Sequence, residues 1–380
     1  MTHRVEKISL PGNSAGVTRE LTVHRFGTKG ARPKVYLQAS LHADEFPPML
    51  VAQKLLPMLI AADKTGDIAG EIILLPYANP VGLSQMMGGK VTGRYAFDGT
   101  GNFNRNWPDL SAAVSERIPG RLTGDADIDI PAIRTALLDA VSDLGARTET
   151  AALRKALLSL SIDADIVLDM HCDGEAEFHL YTNLRHRSDV EALGAELAAP
   201  VMLLEENAGG GAFDECNAEV WWRLADHRDD AGHLPAACFA TTLEFRGRAD
   251  VSDAYADADA AAIFRYLQRH GVIAGDAGPQ PKPVRPATRL DAVDVLDAPA
   301  GLVVYQRDLG TDVQEGDVIA IVYDLANPDP EAAKTEIASR TAGRFFARTE
   351  QRYVHCGDRI AKIAGSSPLP HRKQGALLED

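Results

Sequence analysis

Two histidines and a glutamate lie where apolar, strand-like runs of the sequence end. His42 and Glu45 form an H-x-x-E pair directly after the run at 35–40, and His171 directly follows the run at 165–170. Hydrolytic zinc sites use nitrogen and oxygen ligands of this kind and keep one position open for water. The pattern predicts one zinc ion per chain, held by His42, Glu45 and His171. The alternatives are a surface loop with an unrelated His and Glu, and a histidine that merely ends a strand.

The residues on either side of His171 have two interpretations each. Asp169 shares a strand face with His171, because side chains two residues apart on a strand point the same way. It either orients a metal ligand from outside the site or is an ordinary carboxylate at a strand end. Cys172 is a potential zinc ligand, but we interpret it as a small buried thiol.

Polar residues elsewhere in the chain have the chemistry that a zinc hydrolase needs besides its metal. Glu244 ends a strand-like run, where a carboxylate can act as general base and then return the proton to a leaving amine. A salt bridge with Arg246 or Arg248 is the alternative. Arg105 lies in the run Asn-Phe-Asn-Arg-Asn-Trp. Its planar guanidinium can hold a carboxylate at two points, and Asn104 can add a hydrogen bond. A turn with an ion-paired arginine is the alternative for this run.

Alternating strand-like and helix-like segments must bring these residues together. The strand-like runs are 35–40, 71–78, 165–170, 178–183, 201–206 and 238–245, and the helix-like segments are 48–63 (with a kink at Pro57), 151–160, 188–198 and 253–270. This alternation predicts an α/β domain with a largely parallel sheet, whose ligands gather at the carboxyl ends of strands. The segment 108–135, rich in Asp, Gly and Pro, is expected to be a surface insertion.

The second part of the chain has a different pattern. Four prolines and two glycines in residues 275–288 predict a linker between a catalytic domain, 1–274, and a small all-β domain with a tail, 289–380. Within the small domain the pairs Ala-Gly (300–301) with Glu-Gly-Asp (315–317), and Ala-Gly (342–343) with Cys-Gly-Asp (356–358), indicate two half-repeats.

The composition of the chain limits the classes of partner that we expect it to bind. The 380 residues carry a net charge of −15 without a Lys/Arg run, which argues against a nucleic-acid partner. The first residues contain no apolar run and no long apolar span follows, so we expect neither a signal peptide nor a membrane span. The four cysteines form no C-x-x-C pair. We therefore expect a cytoplasmic protein that acts on a small molecule, without a membrane partner. A homo-oligomer and a monomer both stay open.

Taken together, these motifs resemble the succinylglutamate desuccinylase/aspartoacylase family, within the zinc carboxypeptidase superfamily. The resemblance covers most of 1–270 and is carried, in the family's order, by His42-x-x-Glu45, Arg94-Tyr95, Asn104-Arg105-Asn106-Trp107, Asp169-x-His171 and Glu244. It implies a zinc-carboxypeptidase-like fold, with His42, Glu45 and His171 as zinc ligands. It also implies that Glu244 activates water, that Arg94 polarises the scissile carbonyl and stabilises the oxyanion, and that Asn104 and Arg105 hold the substrate carboxylate.

The sequence departs from the family pattern at a few positions. Ala43 and Asp44 stand where many members have Gly or Asn, and we find no counterpart of the pocket tyrosine of animal aspartoacylases. The half-repeats resemble a lipoyl/biotinyl-like barrel-sandwich domain, but the segment between them offers no carrier tripeptide. Lys334 is therefore interpreted as a surface lysine, and the module as structural, either walling the active site or supporting oligomerisation.

The leading hypothesis is zinc-dependent hydrolysis of the amide bond of a small N-acyl amino acid, of the deacetylase or desuccinylase type. A metallocarboxypeptidase that acts on short peptides is a second hypothesis. A catalytically silent binding protein on the same scaffold is a third, of a different class. The sequence leaves the acyl group, the amino acid and the oligomeric state open.

Overall fold

A large mixed β-sheet flanked by helices forms the main body of the protein. The computed structural model describes residues 2–11, 15–232 and 234–377. The strands of the large sheet are β1 Arg4–Leu10, β2 Arg19–Gly27, β3 Lys34–Ala39, β4 Glu71–Leu75, β5 Ile166–Asp173, β6 His179–Asn183, β7 Val201–Glu205, β8 Phe239–Gly247 and β9 Thr288–Arg289. Their order in the sheet is β1-β2-β4-β3-β5-β8-β6-β7-β9.

The centre of this sheet is parallel. Strands β4, β3, β5 and β8 run in one direction, while β6 is antiparallel to β8 and the β1–β2 hairpin adds an antiparallel edge. Parallel strands need helical crossovers, and the sequence supplies them. The predicted mixed, largely parallel sheet flanked by helices is therefore confirmed.

Helices cover both faces of the sheet. They are α1 Pro47–Thr65, α2 Pro80–Leu83, α3 Ser111–Arg117, α4 Ala126–Ser142, α5 Glu149–Ser161, α6 Arg187–Glu196, α7 Phe213–Ala218, α8 Val220–Arg223 and α9 Asp253–Arg269. Alternate strand residues pack against opposite layers: Val35 and Leu37 against α1, α6 and α9, and Tyr36 against the layer that contains α3, α4, α5, α7 and α8. Helix α1 runs through Pro57 and ends at Gly66, which is left-handed with φ 79°.

The segment 108–135 is not a surface insertion, contrary to the expectation from its composition. It contains α3 and the start of α4, and Val114 and Ile133 are wholly buried in the core. Its polar residues cap these helices: the Asp125 side chain accepts from the Asp127 N–H, and Asp129 accepts from the Gly124 N–H. The composition of helix ends was mistaken for that of an exposed loop.

Residues after 290 form a compact β module. Its strands are β10 Val293–Asp297, β11 Gly301–Tyr305, β12 Asp312–Val313, β13 Val318–Tyr323, β14 Lys334–Ala338, β15 Gly343–Arg348, β16 Tyr353–Val354 and β17 Arg359–Gly365. One sheet has the order β15-β17-β10, with β12 also paired to β15, and the other has the order β14-β13-β11-β16. Lys334 is exposed and paired with Glu331, as expected of a surface lysine.

Matching backbone hydrogen bonds join the two half-repeats. Gly357 N–H donates to the Ala298 carbonyl, and Gly316 N–H donates to the Ser339 carbonyl. The reverse contacts also match, because Ala298 N–H donates to Asp358 and Ser339 N–H donates to Asp317. This pairing is the pseudo-symmetry that the repeated sequence predicts.

A short acidic segment after β5 docks the module onto the large sheet. Residues Glu175–Ala176 add a strand to the module beside β15. Lys362 Nζ lies 2.6 Å from Asp173 Oδ2, Arg348 Nε lies 2.6 Å from Glu175 Oε2, and Arg344 Nη2 lies 2.7 Å from Glu177 Oε1. Three consecutive odd-numbered acids therefore each meet a base of the module.

Further contacts come from the flanks of the module. Strand β9 joins the large sheet beside β7, and the segment 369–377 returns to the loop after β7, where Leu377 N–H donates to the Ala208 carbonyl. The division into a catalytic domain 1–274, a linker 275–288 and a small domain 289–380 stays a prediction. Within the described ranges, we find no helix that is both long and apolar enough to cross a membrane.

Candidate metal centre and active-site cavity

Adjacent parallel strands deliver the predicted catalytic residues to one edge of the sheet. In the register of β3 and β5, Ala39 lies opposite Met170, so the loop with His42 and Glu45 leaves the sheet beside His171. In the register of β5 and β8, His171 lies directly opposite Glu244. The sheet therefore brings together residues that are up to 202 positions apart in the sequence (244 − 42).

The loop that carries His42 and Glu45 is held by its neighbours. Ser40 is left-handed, with φ 59°, and its hydroxyl donates to the Glu45 carbonyl. Ala43 N–H donates to the Gly93 carbonyl at 3.1 Å. A β-carbon on Gly93 would lie 2.5 Å from the Ala43 β-carbon, so only glycine permits this approach. The small side chain of Ala43, one of the departures from the family pattern, fits the same tight contact.

His42, Glu45 and His171 form a buried cluster. Glu45 Oε1 lies 3.0 Å from His42 Nδ1, and Glu45 Oε2 lies 2.9 Å from His171 Nδ1. The three candidate ligand atoms lie within 4.8 Å of one another, and each residue is at most 3% exposed. Among the residues that the structure describes, this is the single group of three such side chains close enough to hold a metal ion.

The outer nitrogen of each imidazole meets an oxygen. His42 Nε2 lies 2.8 Å from Asn102 Oδ1, and the same oxygen accepts the Asn104 N–H at 2.8 Å. Because this atom is an acceptor, His42 Nε2 must carry the ring proton. His171 Nε2 lies 2.9 Å from Asp169 Oδ2, although the ring N–H is not aligned with that oxygen. Asp169 is thus an outer partner of His171 and not an isolated strand-end carboxylate.

A chain of hydrogen bonds fixes Asp169 in turn. Its Oδ1 accepts from Gln38 Nε2 at 2.8 Å, and Gln38 Oε1 accepts from the Tyr36 hydroxyl at 2.8 Å. All of these side chains are buried. A carboxylate behind a ligating histidine, itself hydrogen-bonded, is the usual outer arrangement of a metal site.

The electrostatics of the cluster fit a divalent cation. Burial lowers the pKa of His42, against the opposing charge of Glu45, so the ring is neutral and its proton sits on Nε2. Its Nδ1 lone pair then points at a carboxylate, and two electron-rich atoms 3.0 Å apart need a positive charge between them. The pKa of His171 is raised because Asp169 and Glu45 outweigh the effect of burial. Two imidazoles and one carboxylate are a donor set that zinc and related metals accept.

Glu244 presents a carboxylate atom beside this cluster. The side chain is half-buried, and Oε2 has no hydrogen-bond partner within the described residues. The alternative of a local salt bridge is excluded, since Arg246 pairs with Asp259 and Arg248 pairs with Asp44 and Glu350. Burial, with the nearby charge of Glu45, raises the pKa of Glu244 to about 8.

Arg94 lies at the open side of the cluster. Its Nη1 is 3.3 Å from His42 Nδ1 and 3.4 Å from Glu45 Oε1. Although burial opposes it, the charges of Glu45, Asp173 and Glu244 raise the pKa of Arg94. A short hairpin of Tyr95–Ala96 and Gly101–Asn102 connects this arginine to Asn102. Tyr95 itself is 44% exposed and does not line the cavity described below.

The residues of the asparagine-rich run make different contacts, which the sequence alone does not show. Asn104 Oδ1 accepts the Phe213 N–H at 2.8 Å, so only its amide nitrogen remains to face the cavity. Arg105 lines the cavity and donates from Nη1 to the Asn104 carbonyl at 2.9 Å. Arg154 clamps the run from outside, because its guanidinium donates to the carbonyls of Asn102, Arg105 and Asn106. Sequence reasoning missed Arg154 and Asn102.

These groups open into a cavity of about 170 Å³. Six of the seven predicted site residues line it: His42, Arg94, Asn104, Arg105, His171 and Glu244. The module and the segment after it supply another wall, with Arg359, Lys362, Arg372 and Leu377. The module therefore contributes to the wall of the cavity, one of the two roles considered for it. The sequence signal for Lys362 is a lysine between apolar residues, Ile360-Ala361 before it and Ile363-Ala364 after it, in strand β17.

Fold and site define the chain as a mixed α/β protein with a candidate metal centre at the carboxyl ends of its parallel strands. Residues 31–122 match the sequence model of the succinylglutamate desuccinylase/aspartoacylase catalytic domain. This range contains His42, Glu45, Arg94, Asn104 and Arg105, whereas His171 and Glu244 lie beyond it. The predicted resemblance to this family is confirmed. No curated protein matches the sequence.

Solved structures extend the likeness to nearly the whole chain. A protein from Shewanella amazonensis SB2B, provisionally named a succinylglutamate desuccinylase/aspartoacylase family protein, is 28% identical, with a TM-score of 0.81 over 95% of this chain and 98% of that one. A provisionally so-named protein from Shewanella frigidimarina NCIMB 400 shares the fold at 24% identity, with a TM-score of 0.84 over 96% and 98% of the chains. A Rhodobacter sphaeroides succinylglutamate desuccinylase/aspartoacylase shares it at 16% identity, with a TM-score of 0.64 over 96% of both chains.

Proposed function

We propose that the protein is a zinc-dependent amidohydrolase that cleaves the amide bond of small N-acyl amino acids. One observation supports the proposal most strongly. Glu244, whose Oε2 has no hydrogen-bond partner among the described residues, lies opposite His171 of the His-Glu-His cluster on the neighbouring strand, and both residues line one small cavity. The family name gives independent support, since desuccinylases and aspartoacylases remove acyl groups from amino acids.

In this proposal His42, Glu45 and His171 hold the zinc ion. The metal would supply Lewis acidity, which lowers the pKa of water and polarises an amide carbonyl. Asn102 keeps the His42 proton on the outer nitrogen, so that His42 Nδ1 remains free to act as a ligand. Asp169 lies behind the His171 ring as an outer carboxylate.

Glu244 moves the protons. Its Oε2 accepts a proton from the attacking water as the new carbon–oxygen bond forms. It then gives the proton to the nitrogen as the carbon–nitrogen bond breaks, so that the amine leaves neutral. A carboxyl with a pKa of about 8 is poised for both steps near neutral pH, and a bound divalent cation lowers that value.

The arginines hold the negative charges. Arg94 lies beside the cluster, where its guanidinium can stabilise the oxyanion; one well-placed donor contributes about 3–4 kcal/mol. Arg105 lines the cavity next to Asn104 and is assigned to the substrate carboxylate, with the Asn104 amide N–H as a second donor. These assignments account for every site residue that the sequence predicts.

Cavity size favours an amino acid derivative over a peptide. A space of about 170 Å³ is below the usual range for drug-sized ligands, which begins near 300 Å³. The module and the segment 369–377 also take up part of the cavity wall, which leaves less room for a peptide. We therefore favour a deacylase over a carboxypeptidase.

An amine-release screen tests the proposal. Zinc-loaded protein is incubated with N-acetyl and N-succinyl derivatives of the common amino acids, and with dipeptides. We expect release from at least one N-acyl amino acid and little from dipeptides. Glu244→Gln should reduce kcat by about a thousandfold, within the range for a lost general base, while the zinc content stays unchanged. Activity that survives in Glu244→Gln would refute the mechanism, and preferential cleavage of dipeptides would refute the substrate class.

A further inference from the structure

One end of the active-site cavity is lined by acids that the proposed mechanism does not use. Glu205 ends β7, and Asp214 and Glu215 lie in the first turn of α7. All three line the cavity and are at most 8% exposed. We name Glu205, Asp214 and Glu215 the acidic wall. Like charges gathered in a buried place destabilise the fold unless something compensates them.

Glu205 has no cationic partner among the described residues. It is 94% buried (100 − 6), and its Oε2 has no hydrogen-bond partner among the described residues. No described cation lies within ion-pair distance of it. Burial, with the neighbouring charges of Glu215 and Asp214, raises the pKa of Glu205 to about 9. Asn183 is its one hydrogen-bonding side chain in the described ranges, and an amide brings no charge. A buried carboxyl that lines a ligand cavity with one oxygen unpartnered and no cation beside it indicates that the ligand supplies the positive charge.

The acidic wall does not fit a second metal ion. Its carboxylates are not among the groups of three that could converge on one ion, because the structure describes one such group, His42, Glu45 and His171. In addition, Glu215 Oε2 is engaged with the Ala212 N–H at 2.7 Å. A larger organic cation, such as an ammonium group on an alkyl chain, can lie between carboxylates that are too far apart to share a metal.

Within the acidic wall, Glu205 is distant from Glu244 along the sheet. His179 of β6 lies opposite Glu244, whereas Asn183, four residues further on, lies opposite Glu205 on the next strand. Two strand spacings across and four residues along correspond to roughly 10 Å by 13 Å between backbone positions. A cation there must be separated from the scissile amide by several bonds.

We propose that the acidic wall binds a cationic side chain, so that the preferred substrates are N-acyl derivatives of basic amino acids of lysine or ornithine length. This inference rests on the proposed function and specifies its substrate class. Arg105 would hold the carboxylate of such a substrate, while Glu205 and Asp214 would face its ammonium group. The cavity would thus recognise both charges of one zwitterionic amino acid.

The experiment compares substrates that differ in one charge. Zinc-loaded protein is assayed with Nα-acetyl-L-lysine, Nα-acetyl-L-norleucine and N-acetyl-L-aspartate, and with the N-succinyl series. We expect kcat/KM for the lysine derivative to exceed that for the norleucine derivative by about tenfold to a hundredfold, the usual value of one buried charged hydrogen bond. Glu205→Gln should remove most of this preference, because kcat/KM for the lysine derivative should fall toward that for the norleucine derivative.

A neighbouring residue provides the matched control. Glu206 is exposed and does not line the cavity, so Glu206→Gln should keep the preference for lysine. Asp214→Asn serves as a second variant in case Glu205→Gln does not fold. We expect both wall variants to fold, and Glu205→Gln to melt at a higher temperature than the wild type, because it removes an uncompensated buried acid.

Failure of this inference can be distinguished from failure of the proposed function. Hydrolysis of neutral or acidic N-acyl amino acids, with no preference for the lysine derivative, refutes the acidic wall as a cation site and leaves the proposed function standing. If no N-acyl amino acid is hydrolysed, the proposed function fails, and a binding measurement then tests whether the acidic wall binds a cation. Metal-free protein is then titrated calorimetrically with L-lysine and L-norleucine. Tighter binding of lysine that is lost in Glu205→Gln supports the wall, and equal binding of the two refutes it.

Discussion

Replacing Asn102 should weaken binding of the proposed zinc ion without removing one of its proposed ligands. Asn102 Oδ1 is the acceptor for the His42 Nε2–H, at 2.8 Å, in a place where His42 is only 3% exposed. Because the His42 pKa is lowered, the ring carries a single proton, and this hydrogen bond decides which nitrogen holds it. In Asn102→Ala the proton either stays on Nε2 without an acceptor or moves to Nδ1, the nitrogen that faces Glu45.

Both outcomes should weaken zinc binding by a similar amount. An unsatisfied buried N–H costs about 1–3 kcal/mol. Moving the proton to Nδ1 instead blocks the ligand atom, and zinc must displace it. At about 1.4 kcal/mol per factor of ten, the zinc dissociation constant should rise by about ten- to a hundredfold, the usual effect of losing an outer partner of a ligating histidine.

The measurement is a competition titration of chelator-stripped protein with zinc and a chromogenic chelator. Asn102→Asp keeps an oxygen acceptor and should bind zinc within about threefold of the wild type. Asn106→Gly is the matched control from the same run: its side chain is exposed and its φ of 57° suits glycine, so the affinity should not change. If Asn102→Ala binds zinc as tightly as the wild type, the tautomer argument is wrong. If Asn102→Asp loses as much affinity as Asn102→Ala, the acceptor is not the cause.

The remaining predictions concern the loop, the module and the metal itself. Gly93→Ala places a methyl group against Ala43 and should lower the melting temperature, measured by circular dichroism. It should also lower the zinc affinity by at least about tenfold in the same titration. An unchanged affinity would show that the loop adapts freely. Lys362→Met breaks the ion pair with Asp173, whose two side chains are partly exposed. It should lower the free energy of unfolding, measured by urea denaturation, by only about 1–2 kcal/mol, below the roughly 3–5 kcal/mol of a fully buried pair. A loss below about 0.5 kcal/mol would mean that solvent screens the pair. Zinc at a thousandfold excess over its dissociation constant should stabilise the wild type by about 4 kcal/mol in calorimetry, and a similar gain in His171→Gln would argue against the assigned ligand.

Local sequence patterns were sufficient to predict the core of the site. His42 and His171 follow apolar runs, and such runs become neighbouring parallel strands whose carboxyl ends share an edge. The same argument predicted that Glu244 reaches this edge, and register confirms that it lies opposite His171. The repeated Gly-Asp turns of the module likewise predicted its internal symmetry.

Other features depend on contacts that no local pattern encodes. Arg154 lies 48 to 52 positions from the carbonyls that it holds, and its role depends on how α5 packs against the asparagine-rich run. Asn102 and Asn104 look equivalent in sequence, but only their hydrogen-bond partners show that one orients His42 while the other anchors α7. The segment 108–135 was misjudged because helix caps and loops use the same polar residues.

The docking of the module has a consequence for the order in which the protein is made. The Lys362–Asp173 contact joins residues 189 positions apart, and the cavity wall extends to Leu377. On the ribosome, all of the proposed metal ligands emerge long before the wall that closes the cavity. A nascent chain could therefore present the His-Glu-His cluster to metal ions while the substrate enclosure is still missing. Metal capture and substrate selectivity would then arise at separate moments during synthesis.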